Sequence, residues 1–364
     1  MGDTYPRFTV AAVQAASVFY EREKTIDKAV HFIEEAADKG AVIIGFPELF
    51  IAGHPDLWYL AKKSNPLHLQ GELFKQLVKN GLKIPSPEAG RLCTAAQKAH
   101  AYVVIGMSEV DNLFPGTLYN SQLIISDKGE ILGVHRKLVP TVVEKLVYSR
   151  GDGSYLNVYD TRYGRLSAMV CGEHANSLYK YALLAMGTQI HVAGWPIFPA
   201  NVFGQAQRDS VDFRVRQFAH EGKIFVINSC GVADDQNIDF CCDSQDEKDN
   251  IVSAGGGTSI IGPNGEYLAG PIYKGEVVLT AEISLEDALP GKMVHNVLGH
   301  YTRWDVLTLN FNRERLYPFK NVSPWETDPT ALSFEFKEMR KMLCEISDRV
   351  DGIAEKIGRK TEEY

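Results

Sequence analysis

A thiol, a carboxylate and an ammonium can together carry out a nucleophilic hydrolysis, and this sequence puts one of each at the end of an apolar run. Glu48 closes Phe46-Pro47-Glu48 after the run Ala41 to Phe46, Lys137 stands in Val134-His135-Arg136-Lys137-Leu138, and Cys171 follows Leu166 to Val170. In α/β proteins the C-terminal ends of strands are where reactive groups collect. A free thiol has a pKa of about 8.5, so without help only a small fraction is ionised at neutral pH. A strand-to-helix turn at Cys171 would favour the thiolate through its free N–H groups and the helix dipole. A nearby glutamate could take the thiol proton, and a nearby lysine could stabilise the charge that develops. Each residue also has a plainer role open to it: a small buried hydrophobe for the cysteine, a helix cap for the glutamate, a solvated surface group for the lysine. The spacing permits the three to converge without requiring it.

The elements that must position them follow a rhythm. Phe8 to Ala15 reads as a buried strand, and Thr25 to Asp38 as a helix because Ile26, Ala29, Val30, Ile33 and Ala37 share one face. Ala41 to Phe46 is a second buried strand, followed by a helix near Glu88 to His100 and a strand from Tyr102 to Gly106. Hairpins are expected over Gln122 to Val134, Val158 to Val170 and Thr258 to Ala269, each turning at a glycine-containing pair or triplet. Between the last two lie a helix at Ser177 to Met186, a strand at Ile190 to Ala193, a helix near Val211 to His220 and a strand at Phe225 to Asn228. Alternating strands and helices predict an α/β protein, and the second half echoes the first as though each half supplied a sheet. His54 to Pro85 reads as a long loop without a partner, and Thr327 to Tyr364 as a charged tail with an amphipathic helix near Phe334 to Ile353.

Bulk properties narrow the classes. The 364 residues are 45% hydrophobic and 23% charged, an ordinary globular balance, with a net charge of −8. No basic stretch offers a nucleic-acid footprint, so no nucleic-acid partner is expected. The N-terminus lacks a signal-peptide pattern, and no apolar run reaches the ~18 residues of a membrane span. The 6 cysteines show no C-x-x-C spacing, which points to reduced thiols and a cytoplasmic setting.

Taken together, Phe46-Pro47-Glu48, His135-Arg136-Lys137-Leu138 with Pro140-Thr141 and Glu144, Gly151-Asp152-Gly153-Ser154, and Cys171-Gly172-Glu173-His174 resemble the Glu–Lys–Cys signature of the nitrilase, or carbon–nitrogen hydrolase, superfamily. Gly299 to Arg303 with Asp305 and Leu309 to Asn312 is similar to a block of the true nitrilase branch. The resemblance implies a four-layer α-β-β-α sandwich over residues 1–313, with 314–364 as a C-terminal extension for oligomer contacts or partly disordered. It implies hydrolysis of an organic nitrile to the acid and ammonia through a covalent thioimidate on Cys171, with Glu48 as base and Lys137 as cation. Glu144 would position Lys137 or polarise water, and the Gly172 N–H would be a second donor beside the substrate, with His174 close by. No cofactor or metal is implied, and assembly as a dimer or larger spiral is. Gly172, where the family often has Trp, and Trp304, where it often has Pro, depart from the pattern; the first leaves room beside the sulfur. Trp58, Tyr59 and Trp195 are candidate walls of an apolar substrate pocket, although each could equally pack down a loop.

Other readings stay in view. An amidase or carbamoylase of the same superfamily would use the same triad on a C(=O)–N bond. A metal hydrolase would draw on His54, His174, His191 and His220, which lack H-E-x-x-H spacing. Cys241-Cys242 reads as a pair in a polar loop that could be redox-active or incidental, and a non-catalytic relative would lack a triad member.

Overall fold

A computed structural model describes residues 2–54, 67–197, 200–252 and 255–317. The described residues hold two six-stranded sheets. The first orders its strands β12-β1-β2-β3-β4-β5, from β1 (Phe8–Gln14), β2 (Ala41–Gly45), β3 (Tyr102–Val110), β4 (Leu118–Ile125), β5 (Ile131–Arg136) and β12 (Val277–Ile283). The second orders them β11-β10-β9-β8-β7-β6, from β6 (Val158–Thr161), β7 (Gly164–Val170), β8 (Ile190–Trp195), β9 (Phe225–Cys230), β10 (Thr258–Ile261) and β11 (Tyr267–Ile272). In each sheet a parallel trio (β1, β2, β3 or β7, β8, β9) is flanked by antiparallel strands. The two halves are therefore topological copies, with one exchange: β12, from late in the chain, takes the edge beside β1 that β6 takes beside β7.

Side-chain alternation builds the layers. Val10 and Ala12 of β1 face inward with Ile43, Val104 and Ile124, against Leu166, Val192, Phe225 and Ile227 of the second sheet. Ala11 and Val13 face outward with Ile44 and Val103, under α1 (Arg22–Asp38) and α3 (Pro87–Ala99), whose Ile26, Ala29, Ile33, Leu92 and Ala96 cover them. On the far side Met169, Ala193 and Val226 meet α4 (Ser177–Ala185) and α5 (Ala200–Gly222) through Leu183, Val215, Phe218 and Ala219. Strands covered on both faces must be apolar on both, which is why they read as continuous apolar runs. Each fully buried Ile, Val, Leu or Phe contributes about 1.5–3 kcal/mol. The result is the α-β-β-α sandwich.

Several expectations need correction. Residues 54–85 are not all loop: α2 (Leu67–Asn80) buries Leu73 and Leu77 there. The strand β12 had no sequence counterpart. Cys241 and Cys242 do not lie in a polar loop: Cys241 ends α6 (Asp235–Cys241), and both are buried with Ile197 and Ile238. The tail helix expected at Phe334 to Ile353 lies outside the described residues, as do Trp58 and Tyr59.

Candidate active site

Glu48 leaves β2 on a tight turn whose next residue, Leu49, has φ 48°. The turn is pinned to both sheets: Phe46 N–H donates to Val104 O at 2.9 Å, and Glu48 N–H donates to Trp195 O in the other sheet at 3.3 Å. It passes so close over β3 that a Cβ at Gly106 would collide with the Pro47 carbonyl. A glycine is needed there because the two backbones touch. Glu48 is buried, its side chain wholly so. Its Oε1 accepts from Asn120 Nδ2 at 2.6 Å and from Lys137 Nζ at 2.7 Å. Its Oε2 has no hydrogen-bond partner among the described residues.

Lys137 emerges from β5, where its N–H donates to Asn120 O at 2.8 Å and its carbonyl accepts from Gly151 N–H at 2.9 Å. Its Nζ donates to Glu48 Oε1 and to Glu144 Oε1, both at 2.7 Å. Glu144 lies in a short 3₁₀ turn, Val142–Leu146, whose start it closes by accepting from Thr141 N–H at 2.8 Å. His54 completes the cluster, with Nε2 3.4 Å from Glu144 Oε1 and 3.9 Å from Glu48 Oε1. Asn120, whose side chain holds Glu48 and whose backbone holds Lys137, was missed by sequence reasoning. Its signal was present: Asn120, Ser121 and Gln122 interrupt a strand that is buried on both faces.

Cys171 follows β7 in a left-handed conformation, φ 48°, and opens a 3₁₀ turn, Cys171–Ala175. Left-handed backbone at a non-glycine residue is strained and is held by its surroundings. Cys171 O accepts from His174 Nδ1 at 2.9 Å, His174 Nε2 meets His191 Nε2 at 2.9 Å, and His191 Nδ1 meets Ser167 Oγ at 2.8 Å. A carbonyl only accepts, so His174 must donate through Nδ1 and accept through Nε2. His191 then donates through Nε2 and accepts from the Ser167 hydroxyl. The tautomers follow in one direction, with both rings neutral; burial lowers His174 to about 4 and depresses His191 well below its usual value. Both nitrogens of His174 are thus engaged behind the nucleophile, and neither is left for a substrate. Trp195 is fully buried, with its ring stacked on His174 at 5.1 Å. Gly172 follows Cys171, and a Cβ there would press tightly on Thr141 Oγ1, at 3.2 Å, so the room expected beside the sulfur is limited by that hydroxyl.

The charges interact strongly. Burial pushes Glu48 up to about 7, with Lys137 and His54 pulling down and Glu144 pushing up. Burial also pushes Glu144 upward, but Lys137 and His54 outweigh it and hold this carboxyl low. Lys137 lies well above its usual value because the two carboxylates and Cys171 outweigh its burial. Burial and Glu48 raise Cys171 well above an ordinary thiol, outweighing Lys137 and the Gly172 N–H. The thiolate-favouring turn expected from sequence is therefore outvoted, and the resting group is a thiol. Lys137 joins Glu48 and Glu144 directly, and Cys171 lies near enough for Glu48, Lys137 and Glu144 all to bear on its ionisation.

Glu48, His54 and Glu144 also offer ligand atoms within 4.8 Å of one another, as a metal site would. Lys137 Nζ lies between the two carboxylates and fills the position a cation would take. Among the described residues no helix is long and apolar enough to cross a membrane.

The profile of the carbon–nitrogen hydrolase family matches residues 9–291. An aliphatic nitrilase from Rhodococcus rhodochrous is 39% identical over 318 residues, covering 85% of this chain and 84% of that protein. This chain belongs to the carbon–nitrogen hydrolase family. Within the carbon–nitrogen hydrolases it lies on the nitrilase branch: a nitrilase from Pseudomonas syringae pv. syringae is 38% identical, covering 83% of this chain and 89% of its own. The fold is that of the solved carbon–nitrogen hydrolase from Helicobacter pylori G27, with a TM-score of 0.62, 20% identity, and coverage of 79% of this chain and 92% of that one. All four members of the buried cluster expected from sequence, Glu48, Lys137, Glu144 and Cys171, fall inside the family match.

Proposed function

We propose that this chain is a nitrilase that hydrolyses an organic nitrile to its carboxylic acid and ammonia. The observation that carries the reading is the ammonium of Lys137, clamped between two buried carboxylates beside a thiol. Glu48 Oε2 takes the Cys171 proton as the sulfur attacks the nitrile carbon, so the thiolate forms only as the S–C bond does. The nitrile nitrogen gains the negative charge, which Lys137 and the Gly172 N–H stabilise; one such donor is worth about 3–4 kcal/mol. Glu48 passes the thiol's proton to that nitrogen, which gives the thioimidate and frees the carboxylate. A first water, deprotonated by Glu48, adds to the carbon, and ammonia leaves with the returned proton to give a thioester. A second water releases the acid and restores the thiol.

Glu144 keeps Lys137 aimed, and the similarity to nitrilases supports a nitrile over an amide. Cys171→Ala tests the reading: ammonia release from nitriles must vanish, and ammonia from a nitrile must exceed that from its amide in the parent. Persistent release by the variant would overturn the assignment. We also infer a homo-oligomer in the cytoplasm. Free thiols at Cys93, Cys230 and Cys242 support a reducing compartment. Exposed Leu178, Tyr301, Val306 and Leu307 around one groove support self-association. A monomer by light scattering at all concentrations would contradict this.

A further inference from the structure

Glu173 sits two residues beyond the nucleophile and takes no part in the chemistry above, yet it is among the most thoroughly engaged carboxylates in the molecule. It is buried at 3% exposure. Its Oε1 accepts from the N–H of Leu138, the residue after Lys137, at 2.9 Å. Its Oε2 accepts from the N–H of Val170, the residue before Cys171, at 2.9 Å, and meets His135 Nε2 at 2.7 Å. His135 Nδ1 lies 3.0 Å from Tyr155 O. A carbonyl and a carboxylate both accept, so both ring nitrogens donate and His135 is an imidazolium. His135 belongs to β5 of the first sheet, and Val170 ends β7 of the second.

We propose that Glu173 is a positioning residue, a clasp whose carboxylate ties the lysine-bearing strand end to the cysteine-bearing one and so sets the distance between ammonium and sulfur. No other hydrogen bond among those of the described residues joins the immediate neighbours of Lys137 and Cys171 through one side chain. The imidazolium supplies the charge that lets a carboxylate remain ionised at this depth. Burial opposes that ionised state, and His135 with the two backbone N–H groups overcomes it, holding Glu173 below its usual range. For His135, burial is likewise outweighed by Glu173 and it is held above its usual value.

The role rests on the proposed nitrilase reading for its activity measurement, but the clasp can be read without any substrate. All three groups meeting Glu173 are donors. In Glu173→Gln the amide offers one acceptor oxygen, so in either orientation its NH₂ faces a donor and one strand end loses its anchor. We expect kcat to fall about 10- to 100-fold, because displacements of an ångström at reacting groups cost that much, with KM changed by less than about twofold. Alkylation of Cys171 by iodoacetamide should slow in parallel while the circular dichroism of the fold is kept. Glu173→Asp keeps the charge beside His135 but withdraws the oxygens by one methylene. A clasp predicts that it does not restore kcat, whereas mere charge balance predicts that it does, and it carries the test if the glutamine variant fails to fold. Either variant alkylating and turning over within about twofold of the parent per folded molecule overturns the proposal. A parent protein that is alkylated at Cys171 but hydrolyses no nitrile would sink the function, while slowed alkylation in the variants would still uphold the clasp.

Discussion

Glu144→Gln keeps the shape of a side chain that holds Lys137 and removes one negative charge from the buried cluster. The oxygens of Glu48 and Glu144 lie within 4.8 Å of each other. At an effective dielectric of about 20, two like charges at that separation repel by about 3 kcal/mol, or about 2 pH units in the carboxyl of Glu48. Lys137, released from one partner, leans further toward Glu48 and acts in the same direction. In the parent, Glu48 is raised to about 7 and must be deprotonated to act as a base, so activity is lost as pH falls through about 7. In the variant the acid limb should therefore move down, by about 1–2 units after relaxation. Its plateau should also fall, by about 100-fold, because Lys137 is no longer aimed. The assay is kcat/KM for ammonia release from a nitrile as a function of pH, which reports the free enzyme. A limb that stays in place or moves upward would refute the electrostatic account of the cluster.

Lys137→Met leaves two carboxylates buried without their counter-charge, so it should cost about 3–5 kcal/mol of stability and about 100- to 1,000-fold in kcat. With both folded-state carboxyl pKa values now raised, the variant binds more protons folded than unfolded, and its melting-temperature deficit by calorimetry should shrink as pH is lowered. His174→Phe strands the carbonyl of Cys171 and should cost about 1–3 kcal/mol by chemical denaturation, with KM unchanged because the ring touches no substrate; a KM raised in step with the loss of stability would return His174 to the substrate pocket.

Much of this was legible because burial on both faces writes itself into a strand. Ala41 to Phe46 and Leu166 to Val170 were readable as apolar runs, and residues at their ends were the natural places to look for chemistry. The strand β12 was not, because its half-exposed sequence alternates weakly and its partner β1 lies at the other end of the chain. Helix α2 was obscured by the prolines and glycines around it, although Leu73 and Leu77 carry its apolar stripe. Within the site, residue types gave the members and not the arrangement. Asn120 and His54 join through tertiary contacts that no spacing encodes. The thiol's ionisation was misjudged because local N–H groups are visible in a turn, whereas the depth of burial and the neighbouring Glu48 carboxylate are set by the other sheet. His174 and Trp195 lie near the reactive residue in sequence or space, but the 3₁₀ turn and the end of β8 direct their rings into the core.

Everything depends on a covalent bond forming at one sulfur. Mass spectrometry of the protein quenched during turnover of a slowly hydrolysed nitrile tests this most directly. The account predicts a thioimidate or thioester adduct on the peptide containing Cys171, absent from Cys171→Ala and from protein without nitrile. Continued ammonia production with Cys171 unmodified at every quench time would contradict it.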